Sequence, residues 1–327
     1  MAKIGIMSFA HMHAHSYAAC LAQLPDIELA AVWDDNRARG KEAAAQHGAP
    51  FVADMKEFLA LDTGGVIVTS ENARHRKMVE AAAAAGKWVL CEKPLAPDVA
   101  DCKAIISACR KAKVGLGTAF PVRFSEPVKA VRGMLMSGEY GEMYAASCTN
   151  NGQFPGGWFA EPKLSGGGAT MDHTVHVADA LRWMTGREFT RVYCENGTCL
   201  HGDTAVDDVG SLHLEMEGGI LISHTASWNR PKSYPTWGDV TMEIVCEKGV
   251  IRIDVFNQKI RVYNDDSVKA EWAYWGGNPD LALIQDFVAA VDMRRDPAVS
   301  GTDGLKAVEV TVAAYKSAKS GRKIKVG

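Results

Sequence analysis

Short apolar runs alternate with longer amphipathic or alanine-rich segments over the first 120 residues of the chain. Such runs, bounded by glycine or polar residues, are typical of buried strands, and the segments between them are typical of helices. The predicted strands cover residues 3–9, Glu28–Trp33, a short stretch near Phe51, Gly65–Thr69, the stretch from Trp88 to Lys93, and Val114–Ala119. The predicted helices cover residues 16–24, Arg39–His47, Lys56–Leu61, Arg74–Ala85 and the segment after Asp98. This alternation predicts a doubly wound parallel sheet.

The pattern changes after about residue 120. A helix that begins near Ser125 precedes strands from Met143, a loop rich in glycine and tryptophan at 152–168, and a helix over Asp172–Thr185. Further predicted elements are strands at Val192–Glu195, Val209–Glu215, Ile220–Trp228, Thr241–Cys246, Val250–Phe256 and Lys259–Tyr263, then helices at Leu281–Arg294 and Leu305–Ser317. Strands joined by turns predict a mostly antiparallel sheet. We therefore predict an α/β protein with one domain over residues 1–120 and a second over 121–327.

Composition and charge favour small-molecule chemistry. The 327 residues are 47% apolar and 23% charged, which is ordinary for a globular protein. The formal net charge is −3 without a long basic run, so we expect neither nucleic acid nor a membrane surface as partner. No apolar segment reaches the roughly 20 residues of a membrane span. The eight cysteines form no C-x-x-C pair, which favours reduced thiols and a cytoplasmic location.

The strand that begins at Trp88 delivers Lys93 to its carboxyl end, directly before Pro94. Proline disfavours the helical region for the preceding residue, so Lys93 is expected in an extended or turn conformation. Ligands of open parallel sheets bind in the crevice beyond the carboxyl ends of the strands, where a fixed cation could contact a substrate. The alternative for this residue is an ordinary solvated turn lysine.

The first strand leads into Ser8, Phe9, Ala10, His11 and Met12, where a dinucleotide-binding fold carries G-x-G-x-x-G. Glycines there permit a tight turn and a close approach of the backbone to a pyrophosphate. Ser8 and Ala10 are the smallest substitutes that keep part of this room. We predict that these five residues contact a nucleotide, although the loop alone does not identify such a site.

His11, His13 and His15 occupy alternate positions and raise the alternative of a metal site. No cysteine or carboxylate lies near them in the sequence, and metal sites normally draw on such ligands as well. We therefore expect no metal, and histidines that face the phosphates or pack locally.

Asp34 ends the second strand, about where a carboxylate accepts hydrogen bonds from an adenosine ribose and disfavours a 2′-phosphate. This position favours NAD over NADP, although Arg37 and Arg39 leave a phosphate-binding alternative open. Small polar residues and a helix start follow the Gly65–Thr69 strand on the same side, which suits a nucleotide. These further predicted contacts are Thr69, Ser70, Asn72 and His75.

A glycine-rich run, Gly166 to Gly168, leads into Asp172 and His176. Their four-residue spacing places both side chains on one face of a helix, so a single site can use both. The alternative is an aspartate that is favoured by the helix dipole and a histidine satisfied in the core.

Taken together, these motifs resemble the glucose–fructose oxidoreductase/inositol dehydrogenase (Gfo/Idh/MocA) family over nearly the whole chain. The marks are Cys91-Glu92-Lys93-Pro94, the G-G-G-A-x-x-D-x-x-x-H run that ends at His176, and Gly301-x-Asp303-Gly304. The resemblance implies an N-terminal Rossmann domain and a C-terminal α/β domain whose open sheet commonly forms a homodimer or homotetramer interface. It also implies a nicotinamide between the domains and a catalytic trio of Lys93, Asp172 and His176. Cofactor contacts implied in the same way are Asn72, Glu92, Lys93 and Arg123.

The chain departs from the family pattern at two places. Ser8 and Ala10 stand where the family usually has glycines, and Ser70-Glu71 stands where a proline often follows the threonine. The first departure concerns the phosphates of the cofactor, and the second concerns its adenine side.

The predicted function is an NAD(P)-dependent oxidoreductase that acts on a secondary alcohol of a sugar, an inositol or a related polyol. His176 is the candidate base because its unperturbed pKa lies nearest neutrality, and Lys93 would stabilise the reacting oxygen. Asp172 would orient a substrate hydroxyl or Lys93 and balance the charge. Exchanged roles remain open, since a buried lysine can also act as base. The predicted substrate contacts are Lys93, Arg123, Asn151, Trp158, Asp172, His173 and His176. Alternatives are an NAD-dependent glycoside-cleaving enzyme, a non-catalytic dinucleotide or sugar sensor, and a metal-dependent enzyme.

Overall fold

The computed structural model describes residues 2–264, 269–274 and 276–327. The chain folds into two compact units. The first unit contains the residues up to Pro121, Lys163–Gly166 and Pro279–Val308, and the second contains Val122–Pro162, Gly167–Asn278 and Glu309–Gly327. The break at residue 121 lies beside the predicted boundary. Because Lys163–Gly166 and Pro279–Val308 also belong to the first unit, neither unit is one continuous stretch of the chain.

The elements observed follow the predicted order, with boundaries that shift by a few residues. The helices are α1 (His13–Gln23), α2 (Arg37–Gln46), α3 (Met55–Ala60), α4 (His75–Ala84), α5 (Val99–Ala112), α6 (Glu126–Met136), α7 (Pro162–Ser165), α8 (Ala169–Thr185), α9 (Pro279–Met293) and α10 (Gly301–Ser320). The strands are β1 (Ala2–Met7), β2 (Ile27–Trp33), β3 (Gly65–Val68), β4 (Trp88–Cys91), β5 (Leu116–Thr118), β6 (Met143–Gln153), β7 (Phe189–Gly197), β8 (Val209–Met216), β9 (Ile220–Arg230), β10 (Gly238–Cys246), β11 (Gly249–Asp254), β12 (Lys259–Asn264), β13 (Lys269–Tyr274) and β14 (Ile324–Lys325). The sequence reasoning missed β13 and β14.

The first unit is built on a five-stranded sheet in the order β2-β1-β3-β4-β5, with every pair parallel. This confirms the doubly wound parallel sheet. The stretch near Phe51 forms only an isolated bridge to Val32. Polar side chains cap the N-termini of three helices of this unit. Asn36, Asp54 and Asp98 each accept hydrogen bonds from backbone amides of the first turn of α2, α3 and α5.

Helix α9 packs with the first unit, on α1 and β1. Its predicted apolar stripe is buried, and the phenyl ring of Phe287 comes so close to Gly65 that a Cβ there would lie 2.9 Å away. The hydroxyl of Ser16 donates to Asp280 at 2.5 Å. Periodicity identified the apolar face of this helix but not the surface that it covers.

The second unit contains a seven-stranded mixed sheet in the order β11-β10-β6-β9-β8-β7-β14. Only the β6–β9 pair is parallel among the neighbours of this sheet in the described residues, so the expected mostly antiparallel sheet is confirmed. Helix α8 packs on its central strands, with α6 beside it. Exposed apolar side chains occur on β6, β9, β10 and β11 of this sheet: Tyr144, Leu221, Val245 and Val250.

No helix in the described part of the chain has both the length and the apolar character needed to cross a membrane.

Candidate active site

Strand β4 ends at Cys91, and the chain continues through Glu92 and Lys93 into Pro94 with a cis peptide bond between the last two. Lys93 is only 4% exposed. Lysine is almost never this deeply buried unless it is paired, so the alternative of a solvated turn lysine does not hold. The carboxyl edge of the parallel sheet therefore carries a buried lysine.

Glu92 lies beside Lys93 and is completely buried. Its carboxylate accepts hydrogen bonds from the Tyr17 hydroxyl at 2.5 Å, from the Lys93 amide at 2.8 Å and from His13 Nδ1 at 3.0 Å. Burial by itself would raise the pKa of Glu92, but His11, His13 and Lys93 together hold it well below its usual value. The carboxylate is therefore ionised and fixed in orientation. Tyr17 was not among the predicted site residues.

The fold brings His11 and His13 to Glu92, with one ligand atom from each of the three residues within 4.8 Å of the others. Glu92, which follows His13 by 79 positions, thus supplies the carboxylate that the sequence around the histidines lacks. His15 lies elsewhere, with its Nδ1 3.0 Å from Nε2 of His47.

The tautomer of His11 favours a hydrogen-bond network over metal ligation by that ring. The backbone amide of His13 donates to Nδ1 of His11 at 3.2 Å, so the proton of a neutral His11 ring sits on Nε2. That N–H faces the Glu92 carboxylate 3.9 Å away. A metal-bound histidine normally has the reverse arrangement, with its other ring nitrogen donating to an oxygen.

The loop after β1 makes the turn that glycine usually permits. Ser8 adopts a φ of 76° and is fully buried, and its carbonyl accepts a 2.6 Å hydrogen bond from the Thr69 hydroxyl. The Phe9 ring packs against both His15 and His47. The Ala10 amide donates to the Ser8 hydroxyl, whereas Met12 is 40% exposed. The backbone course suits a pyrophosphate loop, and the serine hydroxyl adds a local hydrogen bond to it.

Asp34 is 1% exposed and accepts hydrogen bonds from the Phe9 amide at 2.7 Å and from Arg39 at both carboxylate oxygens. Burial would raise the pKa of Asp34, but Arg39 and the Phe9 and Asn36 amides lower it overall. Around this pair, Arg74 joins Asp35 and Glu71. Asp34, Asp35 and Glu71 thus outnumber Arg39 and Arg74 in this cluster. An excess of carboxylates fits an adenosine ribose and repels a 2′-phosphate.

The other predicted cofactor residues of the first unit connect neighbouring loops. Thr69 and Ser70 are fully buried. The Asn72 side-chain amide donates to the Ser165 carbonyl at 2.8 Å. His75 is fully buried, with its ring nitrogens 3.1 Å from the carbonyls of Pro94 and Ser70, and burial lowers its pKa. His75 thereby links the loops that follow β3 and β4.

In the second unit, α8 begins immediately after the three glycines. A Cβ on Gly168 would overlap the backbone oxygen of Asp207, so this position admits only glycine. The Asp207 carboxylate accepts hydrogen bonds from the Gly168 and Thr170 amides at 3.1 and 2.8 Å and from the Tyr315 hydroxyl at 2.6 Å. A loop aspartate therefore caps the helix that carries Asp172 and His176.

Asp172 and His176 lie one turn apart on α8 and are each 9% exposed. The indole N–H of Trp228 donates to Asp172 Oδ2 at 3.2 Å. His173 Nε2 lies 3.2 Å from the same oxygen, and His173 Nδ1 is 2.7 Å from the Asn150 carbonyl. Sequence reasoning missed Trp228, since 56 residues separate it from Asp172.

The remaining predicted substrate residues also have partners within the second unit. Asn151 bonds to Asp239 and to the Ser227 hydroxyl. The Trp158 ring stacks on Phe159 with centroids 3.8 Å apart. Arg123 is 5% exposed, and its guanidinium makes a two-point contact with the buried Asp179, with Nε 2.6 Å from Oδ2. Trp237, which we did not predict, is 42% exposed and has its indole nitrogen near Gly152.

Comparison with known proteins agrees with this fold. Residues 2–120 match the oxidoreductase family with an NAD-binding Rossmann fold, and residues 128–252 match the GFO/IDH/MocA C-terminal domain. The chain is 26% identical over 306 residues to 1,5-anhydro-D-fructose reductase of Ensifer adhaerens, a match that covers 90% of each chain. It is 27% identical over 338 residues to myo-inositol 2-dehydrogenase of Thermotoga maritima, a match that covers 99% of this chain and 97% of the relative.

A solved structure shares the same fold. GenD2 from gentamicin A biosynthesis, in complex with NAD, superposes with a TM-score of 0.90 at 22% identity, over 100% of this chain and 96% of that chain. The two family matches together span most of the sequence and include both strand-end and helix motifs. The chain therefore belongs to the Gfo/Idh/MocA family of oxidoreductases, and its first domain has the NAD-binding Rossmann fold of that family.

Proposed function

We propose that this protein is an NAD-dependent dehydrogenase that acts on a secondary alcohol of a sugar, an inositol or a related polyol. The observation that carries the proposal is the buried Lys93 beside a fixed, ionised Glu92 at the carboxyl edge of the Rossmann sheet. The names of the relatives, which include a myo-inositol 2-dehydrogenase and a 1,5-anhydro-D-fructose reductase, support a polyhydroxylated substrate.

NAD is the proposed cofactor because of the carboxylates around the end of β2. Asp34 would accept hydrogen bonds from the ribose hydroxyls, and the surplus of three carboxylates, Asp34, Asp35 and Glu71, over the two arginines Arg39 and Arg74 would repel a 2′-phosphate. The turn at Ser8 and the start of α1 would face the pyrophosphate. When bound, the nicotinamide supplies the hydride acceptor.

We assign the proton chemistry to His176, the electrostatic stabilisation to Lys93 and the orientation of a hydroxyl to Asp172. His176 removes the hydroxyl proton, for which an imidazole is suited near neutral pH. The Lys93 ammonium hydrogen-bonds the oxygen as negative charge develops on it. Asp172 accepts a hydrogen bond from a substrate hydroxyl and so aligns the ring. Trp158 and the partly exposed Trp237 offer aromatic faces to that ring.

The direct test is NAD reduction across a panel of sugars and inositols with wild-type protein and the Lys93→Ala variant. Lys111→Ala, which removes an exposed lysine of α5, is the matched control. We expect turnover of at least one polyol that falls by about 100-fold or more in Lys93→Ala and stays unchanged in the control. Undiminished turnover in Lys93→Ala would refute the mechanism. Release of an aglycone without net NADH would instead favour glycoside cleavage.

The proposed assembly is a homodimer or homotetramer through the sheet of the second unit. Its support is the exposed apolar set on β6, β9, β10 and β11, in which Leu221 is 58% and Val250 is 54% exposed. Exposed apolar clusters of this kind are typical of interfaces. A cytoplasmic location is proposed because all eight cysteines are reduced thiols, seven of them buried.

A further inference from the structure

We propose that His173 is a positioning residue that forms an imidazolium–carboxylate pair with Asp172 and, together with Trp228, fixes the rotation of that carboxylate. The inference rests on the proposed function only in giving Asp172 a part in the reaction. It changes the expected role of His173 from a substrate contact to a group that acts through Asp172.

The first ring nitrogen of His173 is fixed by the backbone. Nδ1 lies 2.7 Å from the carbonyl oxygen of Asn150 on β6. A carbonyl can only accept, so Nδ1 must carry a proton. If the ring were neutral, its second nitrogen, Nε2, would then be a lone-pair acceptor.

That second nitrogen faces the Asp172 carboxylate. Nε2 lies 3.2 Å from Oδ2, and the two side chains are 4% and 12% exposed. Two acceptors at this distance would repel each other where little water can screen them. One further proton on the pair turns the repulsion into attraction. The geometry therefore requires His173 and Asp172 to hold one proton between them, in addition to the one on Nδ1.

Trp228 indicates where that proton resides. Its indole N–H is a pure donor and donates to the same Oδ2 at 3.2 Å, a contact that is stronger when this oxygen is negatively charged. Asp172 also lies in the first turn of α8, where the helix dipole favours a carboxylate. The proton therefore belongs on Nε2, which makes His173 an imidazolium.

Both groups that hold Asp172 are themselves rigid. Trp228 is 1% exposed and packs in a cluster with Phe159, Ala169 and Val206. The His173 ring occupies space that Gly152 leaves open, since a Cβ there would lie 2.8 Å from the ring. Because two fixed groups converge on one oxygen, the carboxylate cannot rotate without breaking a contact.

Other charged and titratable groups around His173 lie on the neighbouring strands and on α8. His224 on β9 interacts electrostatically with His173, and Arg230 on β9, Asp239 on β10 and His176 on α8 belong to the same elements. Burial and the nearby His173 lower the pKa of His224 to about 3, so His224 is neutral. Asp239 is paired with Arg230. Asp172 is therefore the carboxylate that the structure assigns to His173.

Nitrogen-15 NMR of protein labelled at histidine tests the protonation state without any substrate. Comparison of wild type with His173→Phe identifies the His173 signals. We expect both ring nitrogens to be protonated at neutral pH in the wild type, and only Nδ1 in Asp172→Asn. A singly protonated ring in the wild type, unchanged in Asp172→Asn, would overturn the proposal. Because this readout needs no turnover, its failure is distinct from a failure of the proposed dehydrogenase activity.

Kinetics test the positioning role. We expect kcat/KM to fall by about 10- to 100-fold in His173→Phe, and the acid limb of its pH profile to move to higher pH, because Asp172 loses its cationic partner. His173→Gln keeps one donor and should recover part of the loss. Thr174→Val, a buried and nearly isosteric change at the next position of α8, is the matched control and should leave kcat/KM and the profile unchanged. A wild-type pH profile in His173→Phe would contradict the inference.

Discussion

Arg39 donates to both carboxylate oxygens of Asp34, from Nε and Nη2 at 2.8 Å each. The same carboxylate accepts the Phe9 amide, so it joins the end of β2 to the loop after β1. The residue that we propose selects the ribose is thus also a structural anchor of the phosphate loop. Its removal would both release an arginine and loosen that loop.

Asp34→Ala should shift cofactor preference toward NADP. Removal of one negative charge and release of Arg39 favour a 2′-phosphate, and a change of ~1.4 kcal/mol already alters a ratio by about tenfold. The measurement is the ratio of kcat/KM for NADP to that for NAD, which we expect to rise by about tenfold or more. Asp35→Ala removes the same charge without touching the Phe9 amide and should change the ratio less. An unchanged ratio in Asp34→Ala would contradict the assignment of NAD selectivity to this residue.

Tyr17→Phe should destabilise the protein through the loss of one buried hydrogen bond to an ionised carboxylate. Such bonds contribute about 1.5–3 kcal/mol, so we expect a decrease of that size in the free energy of unfolding by urea. Tyr193→Phe is the matched control, because its hydroxyl bonds Glu195 on the exposed surface. Little or no change is expected there. Equal effects of the two variants would mean that the Glu92 network does not stabilise the fold as described.

Gly168→Ala should be strongly destabilising because its Cβ would overlap the Asp207 backbone oxygen. We expect a loss of more than about 3 kcal/mol in the free energy of unfolding, which is typical of severe steric conflict. Gly133→Ala in α6 has no heavy atom within 4 Å of the added Cβ and should be neutral or stabilising by up to ~1 kcal/mol. A free energy of unfolding for Gly168→Ala close to that of the wild type would contradict the close approach of the Asp207 backbone to Gly168.

Leu221→Glu should dissociate the oligomer by introducing a charge into an apolar sheet face. Size-exclusion chromatography with light scattering should change from a multiple of the chain mass to the mass of one chain. Met293→Glu, at another exposed apolar side chain, controls for a general effect of added charge. A monomeric wild type, or an intact oligomer in Leu221→Glu, would place the interface elsewhere or exclude it.

Much of the first unit follows from local sequence because each of its strands is a short apolar run bounded by polar residues. Lys93 and the Asp172/His176 pair could be predicted from the sequence for the same reason, since Pro94 and a four-residue helical spacing are local features. The groups that orient them could not be. Tyr17 lies 75 residues from Glu92, and Trp228 lies 56 residues from Asp172. Asp207 lies 39 and 37 residues from Gly168 and Thr170, whose backbone amides donate to its carboxylate. No local sequence pattern predicts contacts over such separations.

The argument about a metal site also depended on a contact between residues that are distant in the sequence. Absence of a nearby carboxylate in the sequence was an unsound argument, because the fold brings Glu92 to His11 and His13. The backbone bond that sets the His11 tautomer is the physical reason to favour a hydrogen-bond network, and only the folded chain reveals that bond.

The contacts of Tyr315 have a consequence for the order in which the protein matures. Its hydroxyl donates to the Asp207 carboxylate that caps α8 and also lies 2.9 Å from the Gly168 amide, across 147 positions of sequence. During synthesis, the first turn of α8 therefore lacks one of its partners until those intervening residues have left the ribosome. Asp172 lies in that turn, so the capping of the turn that carries it is complete only after Tyr315 has been synthesised.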